Sequence, residues 1–536
     1  MSPKRYNVFY CALVVALGGF IFGLDAALIS GTIKFVTAEF GLSELEVGTV
    51  VSAPGFGVLF ALMITGHLCD RFGRRLTLLL ISFTYIFSAI ASVMATSFES
   101  LVFARFIGGL AFTSLSVAAM YIGEIAPSKL RGKLVSMIQI NIVIGLSLAY
   151  FANYGLLALL GADSALSQLM GINDKNIWRW MLGVEIIPAV VWFLLLIGIP
   201  HSPRWLMMKD KVDKAAVILN GFNKTTECEA ELNDIRKSLA SHVKNESFIT
   251  SMKGLFEPNI RMAMLIAFTI AVVQQTTGIN AIMFYAPTVF EQLGIGTDAA
   301  FFQATILGLV SIVFTVIAIL LIDKVGRRPL VIYGLGLATL SLFACYLGFA
   351  NAVYMLSPEV INQLHQSLNI ADISSLANVS FDNDVEFKDA LEGLIGLSEA
   401  KVHESVLLQS AVTIDATLII GGIIGFIAAF HFSIGPIMWV LFSEIFPTHI
   451  RGIAIPVFAF IASIVSYLVQ QFFPWQLSHF GADLTFLMYA CFGVIGFVML
   501  YKIMPETKNK TIEEIEAYLS SKSFKKAMPK KAAIES

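Results

Sequence analysis

Apolar residues in this chain fall into runs too long for the helices of a soluble core, and the runs are separated mostly by short polar turns. A bilayer core of about 30 Å asks for about 20 apolar residues per helix, and about twelve runs meet that length. They are residues 8–32, 47–69, 76–97, 100–122, 134–160, 180–200, 261–291, 300–322, 329–350, 411–443, 453–474 and 484–504. The pattern predicts an all-α membrane protein. Its first run carries Asp25 and is too long for a cleavable leader, so it reads as a retained first span.

Composition supports this reading: 57% of residues are hydrophobic, 14% are charged and mean hydropathy is +0.78. Soluble domains have about 45–50% apolar and about 25% charged residues. A net charge of -2 with no basic stripe gives nucleic acid nothing to bind. The cysteines, Cys11, Cys69, Cys228, Cys345 and Cys491, are scattered and odd in number, which suggests packing residues and neither a disulfide framework nor a metal site. Basic residues are more informative by position. Lys4, Arg5, Arg71, Arg74, Arg75, Lys129, Arg131, Lys133, Lys324, Arg327, Arg328, Arg451 and the Lys-rich tail all fall on one side of the span count. The positive-inside rule makes that side the cytoplasm, with both termini there and the bilayer as the surrounding partner.

Two connections are long. Residues 202–258 are charged and predict short amphipathic helices in the cytoplasm, over 209–220 and 227–240. Residues 351–410 are acidic and predict a small helical cap on the opposite side. The expected division is a six-helix bundle over 1–200, a helical linker over 201–258, a second six-helix bundle over 259–504 carrying the insertion, and a tail over 505–536.

An internal repeat underlies that division. Asp70-Arg71-Phe72-Gly73-Arg74-Arg75 follows span two, and Asp323-Lys324-Val325-Gly326-Arg327-Arg328 follows span eight. Glu124-Ile125-Ala126-Pro127 through Arg131-Gly132 follows span four, and Glu444-Ile445-Phe446-Pro447 through Arg451-Gly452 follows span ten. The chemistry predicts a lattice in which Asp70, Glu124, Asp323 and Glu444 accept hydrogen bonds from Arg71, Arg74, Arg131, Arg327 or Arg451, pairs that could latch the halves together when the outer side is open. Together with Pro200-His201-Ser202-Pro203-Arg204-Trp205-Leu206 and Pro505-Glu506-Thr507-Lys508 through Ile515, these motifs resemble the sugar porter family of the major facilitator superfamily, across almost the whole chain except the acidic insertion. The resemblance implies two six-helix bundles, a central solute site and a rocking cycle.

Span seven carries Gln274-Gln275-Thr276-Thr277-Gly278-Ile279-Asn280, followed by Phe284, Tyr285 and Pro287. Amides are costly in lipid unless they face a partner or a wet cavity, and their paired donors and acceptors suit sugar hydroxyls. Gly278 and Pro287 would let this helix unwind as a gate. By resemblance, Gln274, Gln275, Asn280 and Gln139 match sugar-binding amides, Trp439 the aromatic on which a pyranose rests, and Phe22 a pocket aromatic. The chain departs from the family pattern at Phe284, at Ser311 in place of an Asn, and at Ala462, Ser463 and Ser466 on span eleven. His431 takes a cavity position held by Glu in some members, and in the cavity it would make affinity vary between about pH 5 and 8.

Asp25 sits about 26 Å along span one at about 1.5 Å per residue, and Arg105 on span four reaches a similar depth. Burial disfavours a carboxylate's charge and a guanidinium favours it, so a contact that forms and breaks would make Asp25 a proton carrier. The resemblance agrees, since proton-coupled sugar porters carry this pair. The expected function is import of a monosaccharide or similar polyol by proton symport, the proton serving as coupling ion without a cofactor, in a monomeric carrier. Facilitated uniport and a transporter-like sugar sensor are the alternatives. No phosphate loop, nucleophile motif or metal-ligand cluster points to an enzyme.

Overall fold

The computed structural model describes residues 6–161, 165–222, 232–233, 235–236, 255, 257–258, 260–368, 373–510 and 514–519. Lipid offers no partner for backbone N–H and C=O groups, so the apolar runs close their own hydrogen bonds as helices. Ten spans are long and apolar enough to cross a bilayer once, some of them broken within: Val8–Phe40, Glu44–Phe72, Arg74–Val93, Phe98–Ile125, Leu130–Gly161, Ile177–Gly198, Arg261–Phe284, Thr297–Val325, Arg327–Ala350 and Ala416–Ile445. The last helical element, Thr448–Ile503, has 56 residues. At about 1.5 Å per residue it would be more than twice as long as the bilayer is thick. Gly481, with φ 78° and ψ 170°, divides it into spans eleven and twelve.

The run over 261–291 is not one helix but three: Arg261–Thr276, Ile279–Phe284 and Ala286–Glu291. Gly278 makes the first break at φ 83°, a left-handed conformation that other residues rarely adopt. The ring of Tyr489 also fills the space where a Cβ would stand. Tyr285 and Pro287 make the second break.

Spans one and seven begin on the face where span twelve ends, here called the terminal face; the opposite one is the insertion face. Linker helices Pro203–Met208 and Val212–Phe222 lie at the terminal face, whereas the expected helix over 227–240 and the Lys-rich tail lie mostly outside the described residues. The acidic insertion holds helices Pro358–Leu368, Asp384–Ile395 and Leu397–Ala411. Beside the helices expected of the cap, it has a small sheet. Strands β1 (Val353–Met355), β2 (Ser380–Phe381) and β3 (Val412–Thr413) are antiparallel in the order β2-β1-β3, with Tyr354 opposite Phe381 and Val353 opposite Thr413. β1 leaves span nine and β3 enters span ten, so two neighbouring spans bring the strands side by side. The insertion has its own core around Phe387 and Leu407. It docks on the second half, where Lys388 Nζ donates to Gln292 Oε1 at 3.2 Å.

The hydrophobic cores are asymmetric. Toward the insertion face, Leu24, Leu28, Val47, Val50 and Val51 of the first half pack into one cluster with Ile282, Tyr285, Phe290 and Phe473 of the second. Toward the terminal face the first half has a separate core built on Cys11, Val14, Cys69, Tyr121 and Trp192.

Spans one and five cross closely beside Asp25. Gly23 lies against the Ile142 carbonyl and Gly145 against the Phe20 carbonyl, so a Cβ at either would meet backbone that cannot swing aside. Gly23→Ala is therefore expected to destabilise the fold by about 1–3 kcal/mol, the usual cost of overpacking. Thermal unfolding in detergent measures it, and an unchanged unfolding temperature would refute the close crossing.

Candidate functional site

The charged centre lies deep in the first half. Asp25 and Arg105 are 7% and 3% exposed, and Arg105 Nη1 donates to Asp25 Oδ1 at 3.1 Å. The guanidinium has a second task. Pro54 lies inside span two and has no N–H, so the Val50 carbonyl four residues earlier loses its helical donor. Arg105 Nε supplies one at 3.1 Å. A third ionisable group is Glu185, buried where span six breaks between Ile177–Gly183 and Ile186–Gly198. It faces the Asp25 carboxyl and the Arg105 guanidinium. Asp25 Oδ2 and Glu185 Oε1 are buried without a hydrogen-bond donor among the described residues. Sequence reasoning missed Glu185, although the rule that singled out Asp25, a carboxylate inside an apolar span, applies equally to it.

The span-seven amides form a chain. Gln274 Nε2 donates to the carbonyls of Ile434 and Gly435 at 3.3 and 3.4 Å, where span ten breaks at Ser433. Gln275 Nε2 donates to Gln274 Oε1 at 3.0 Å, and Asn280 Nδ2 to Gln275 Oε1 at 2.8 Å. Asn280 Nδ2 also lies 2.7 Å from Ser466 Oγ on span eleven, which accepts from Gln470 Nε2 at 2.8 Å. Ser466 and Gln470 thus join the amide array, a link the sequence did not reveal. Gln275 and Asn280 stay half-buried, so part of each amide remains open.

The remaining candidates divide by what their side chains already do. Gln139 is half-buried and makes no side-chain hydrogen bond among the described residues. Trp439 is 46% exposed and stands edge-on to Phe442, with centroids 5.9 Å apart. Phe22 is half-buried against Phe112 at 4.7 Å. Ser311 is fully buried and donates to the Leu307 carbonyl of its own helix at 2.8 Å. His431 is buried too, with Nδ1 3.0 Å from the Ile427 carbonyl one turn earlier. In this conformation Ser311 and His431 serve their own helices.

At the terminal face the repeated motifs close into two matching clusters. Arg74 pairs with Glu124 at 2.9 Å and Asp70 at 3.5 Å, and Ser202 donates to the other Glu124 oxygen. Arg327 pairs with Glu444 at 2.9 Å and Asp323 at 3.0 Å, and Thr507 Oγ1 donates to the other Glu444 oxygen at 2.6 Å. The expected lattice is corrected in its partners. Arg71, Arg131 and Arg451 pair with no carboxylate among the described residues. Arg71 lies over Phe72 at 5.3 Å, Arg131 is exposed, and Arg451 donates to the Phe446 carbonyl at 3.0 Å. In this conformation, closed at the insertion face, each cluster is complete within its own half.

Among the described residues, the bonds between halves lie toward the insertion face. Lys34 Nζ donates to Thr297 Oγ1 at 2.7 Å and lies 3.6 Å from Glu291. Ser52 Oγ donates to Gln471 Oε1 at 2.7 Å, and Tyr150 Oη to the Met283 carbonyl at 2.5 Å. Two halves closed at one face, with a polar array in the second and a buried ionic centre in the first, form the geometry of a carrier that exposes its site to one side at a time.

Comparison with known proteins agrees. The family model for sugar (and other) transporters matches residues 11–371 and 398–519. The arabinose-proton symporter of Bacillus subtilis is 34% identical over 512 residues, covering 95% of this chain and 94% of that protein. The D-xylose-proton symporter of Escherichia coli is 31% identical, with 96% of each covered. Among solved structures, the xylose transporter XylE from E. coli in a partially occluded inward-open conformation aligns with a TM-score of 0.71 at 27% identity, covering 94% of this chain and 99% of that one. The proton:xylose symporter XylE bound to 6-bromo-6-deoxy-D-glucose gives 0.69 at 29% identity, covering 96% and 100%. By this match and this architecture the chain belongs to the sugar (and other) transporter family and is a multi-pass membrane carrier, not an enzyme.

Proposed function

We propose that the protein imports a monosaccharide or similar polyol by proton symport, with Asp25, Arg105 and Glu185 as the proton site and the span-seven amides as the heart of the sugar site. The observation that carries this reading is the charge count of the buried centre, two carboxyls facing one guanidinium. Fully ionised, the group would hold an unbalanced negative charge away from water, which is costly. One proton restores balance, and Asp25 Oδ2 and Glu185 Oε1 are the oxygens free to take it. The relatives named as sugar-proton symporters support the same reading.

Gln275, Asn280 and Gln139 would meet sugar hydroxyls, and Trp439 and Phe22 the apolar faces of the ring. With basic residues concentrated at the terminal face, that face would lie in the cytoplasm. The bonds at the insertion face then describe a carrier closed to the outside. Symport and uniport are told apart by adding D-xylose or arabinose to a weakly buffered suspension of expressing cells. Alkalinisation of the medium is expected, and sugar entry without it would leave uniport.

Two predictions concern the site. Gln275→Ala and Asn280→Ala should each weaken sugar binding by about 0.5–1.5 kcal/mol, because each removes hydrogen bonds from a half-open cavity. Ser311→Ala should change affinity by less than about twofold, since its hydroxyl already serves its own helix. Binding to purified protein measures all three; a Ser311 variant weaker than the amide variants would shift the sugar toward span eight. The third prediction isolates coupling. Asp25→Asn keeps volume and polarity but deletes the titratable group, so uptake against a gradient should vanish while counterflow persists. Concentrative uptake by that variant would refute the proton site.

A further inference from the structure

We infer that Gln471 on span eleven is a positioning residue that transmits the state of the proton site to the closure of the insertion face. The inference rests on the proton-coupling reading above.

Both ends of the Gln471 amide are bound to the other half. Its Oε1 accepts from Ser52 Oγ at 2.7 Å, and its Nε2 donates to Thr49 Oγ1 at 3.0 Å and to the Leu45 carbonyl at 2.9 Å. Gly48 lets span two approach the Gln471 backbone directly. Thr49 and Ser52 flank Val50, whose proline-freed carbonyl is held by Arg105 Nε at 3.1 Å. One guanidinium therefore grips both Asp25 and the turn of span two that carries the partners of Gln471.

The preceding residue, Gln470, continues the connection into the sugar site. Pro474 deprives the Gln470 carbonyl of its helical donor, and Tyr285 Oη supplies one at 2.9 Å from the second break of span seven. The Gln470 side chain donates to Ser466 Oγ, which also accepts from Asn280. The line from Asp25 through Arg105, the Val50 turn and Gln471 to Asn280 is thus continuous in hydrogen bonds and backbone. Around the proton site, Arg105 comes from span four, Glu185 from span six and Tyr85 from span three, while Tyr285 of span seven faces Arg105. Among these, Arg105 alone is hydrogen-bonded to the backbone of span two in the described residues. A proton on Asp25 weakens its hold on Arg105, the Val50 turn relaxes, and Gln471 passes that change to the second half. Without the amide, the halves would rock regardless of the proton and transport would slip.

The test uses the full-length protein in proteoliposomes with radiolabelled D-xylose or arabinose, whichever the parent accumulates faster. Accumulation driven by a pH gradient and sugar counterflow are both measured across pH. Gln471→Leu should keep counterflow within about twofold while accumulation falls about tenfold, a typical loss of coupling between two sites. Its counterflow should also lose the parent's pH dependence. A merely structural role would lower both activities together, and that result, or unchanged accumulation, overturns the inference. Should Gln471→Leu fail to fold, Ser52→Ala deletes only one partner of the amide and decides by the same ratio. Asp25→Asn runs alongside. If it loses accumulation while the Gln471 and Ser52 variants keep theirs, the proton site stands and the role of Gln471 falls. If Asp25→Asn itself accumulates sugar, the proton-coupling reading fails and takes this inference with it.

Discussion

A backbone carbonyl without a donor, in a place water does not reach, is the constraint on which the working part of this molecule depends. Each proline inside a span removes one N–H, and leaving the matching carbonyl unpaired costs about 1–3 kcal/mol. Three such carbonyls are answered by side chains from other spans. Val50, freed by Pro54, receives Arg105; Met283, freed by Pro287, receives Tyr150; Gln470, freed by Pro474, receives Tyr285. These donors fix the guanidinium beside Asp25, tie the broken part of span seven to the first half, and hold span eleven against span seven. The prolines thus act less as hinges than as sockets.

How much of this was legible in the sequence follows from how local each feature is. The repeated motifs lie in register in both halves, so Arg74 with Glu124 and Arg327 with Glu444 were within reach of sequence reasoning. Which arginine of each cluster takes the carboxylate was not. Arg74 and Arg327 open the helix after a glycine and turn inward over Asp70 and Asp323 one turn back, whereas Arg71 remains on the exposed side of its own helix. The strands of the insertion escaped because they are two or three residues long, too short for alternation to show. They exist because spans nine and ten bring their ends together, a tertiary cause with no local sign.

Polar residues inside apolar helices show the same limit. A hydroxyl can be satisfied by the carbonyl one turn earlier, as Ser311 is by Leu307, and an imidazole nitrogen likewise, as in His431 with Ile427. Sequence alone does not separate such a residue from one that faces a cavity. A carboxamide is different, because its donors and acceptor cannot both be met by its own helix. Gln274, Gln275 and Asn280 therefore had to find partners beyond single turns, and their clustering was a sound sign of a polar interior.

The placement of ion pairs also bears on how the carrier changes state. Were Arg74 and Arg327 bound across the seam, opening the terminal face would strand charges and one state would dominate. In this conformation each is instead neutralised within its own half, so no charge is left stranded at that face. The closed insertion face combines an apolar cluster shared by both halves with polar contacts from Lys34, Ser52 and Tyr150 to the second half. Individually such bonds contribute about 0.5–1.5 kcal/mol net. Polar contacts of this size lie within reach of a ligand's differential affinity for the two states, which is the only means by which binding can shift a conformational equilibrium.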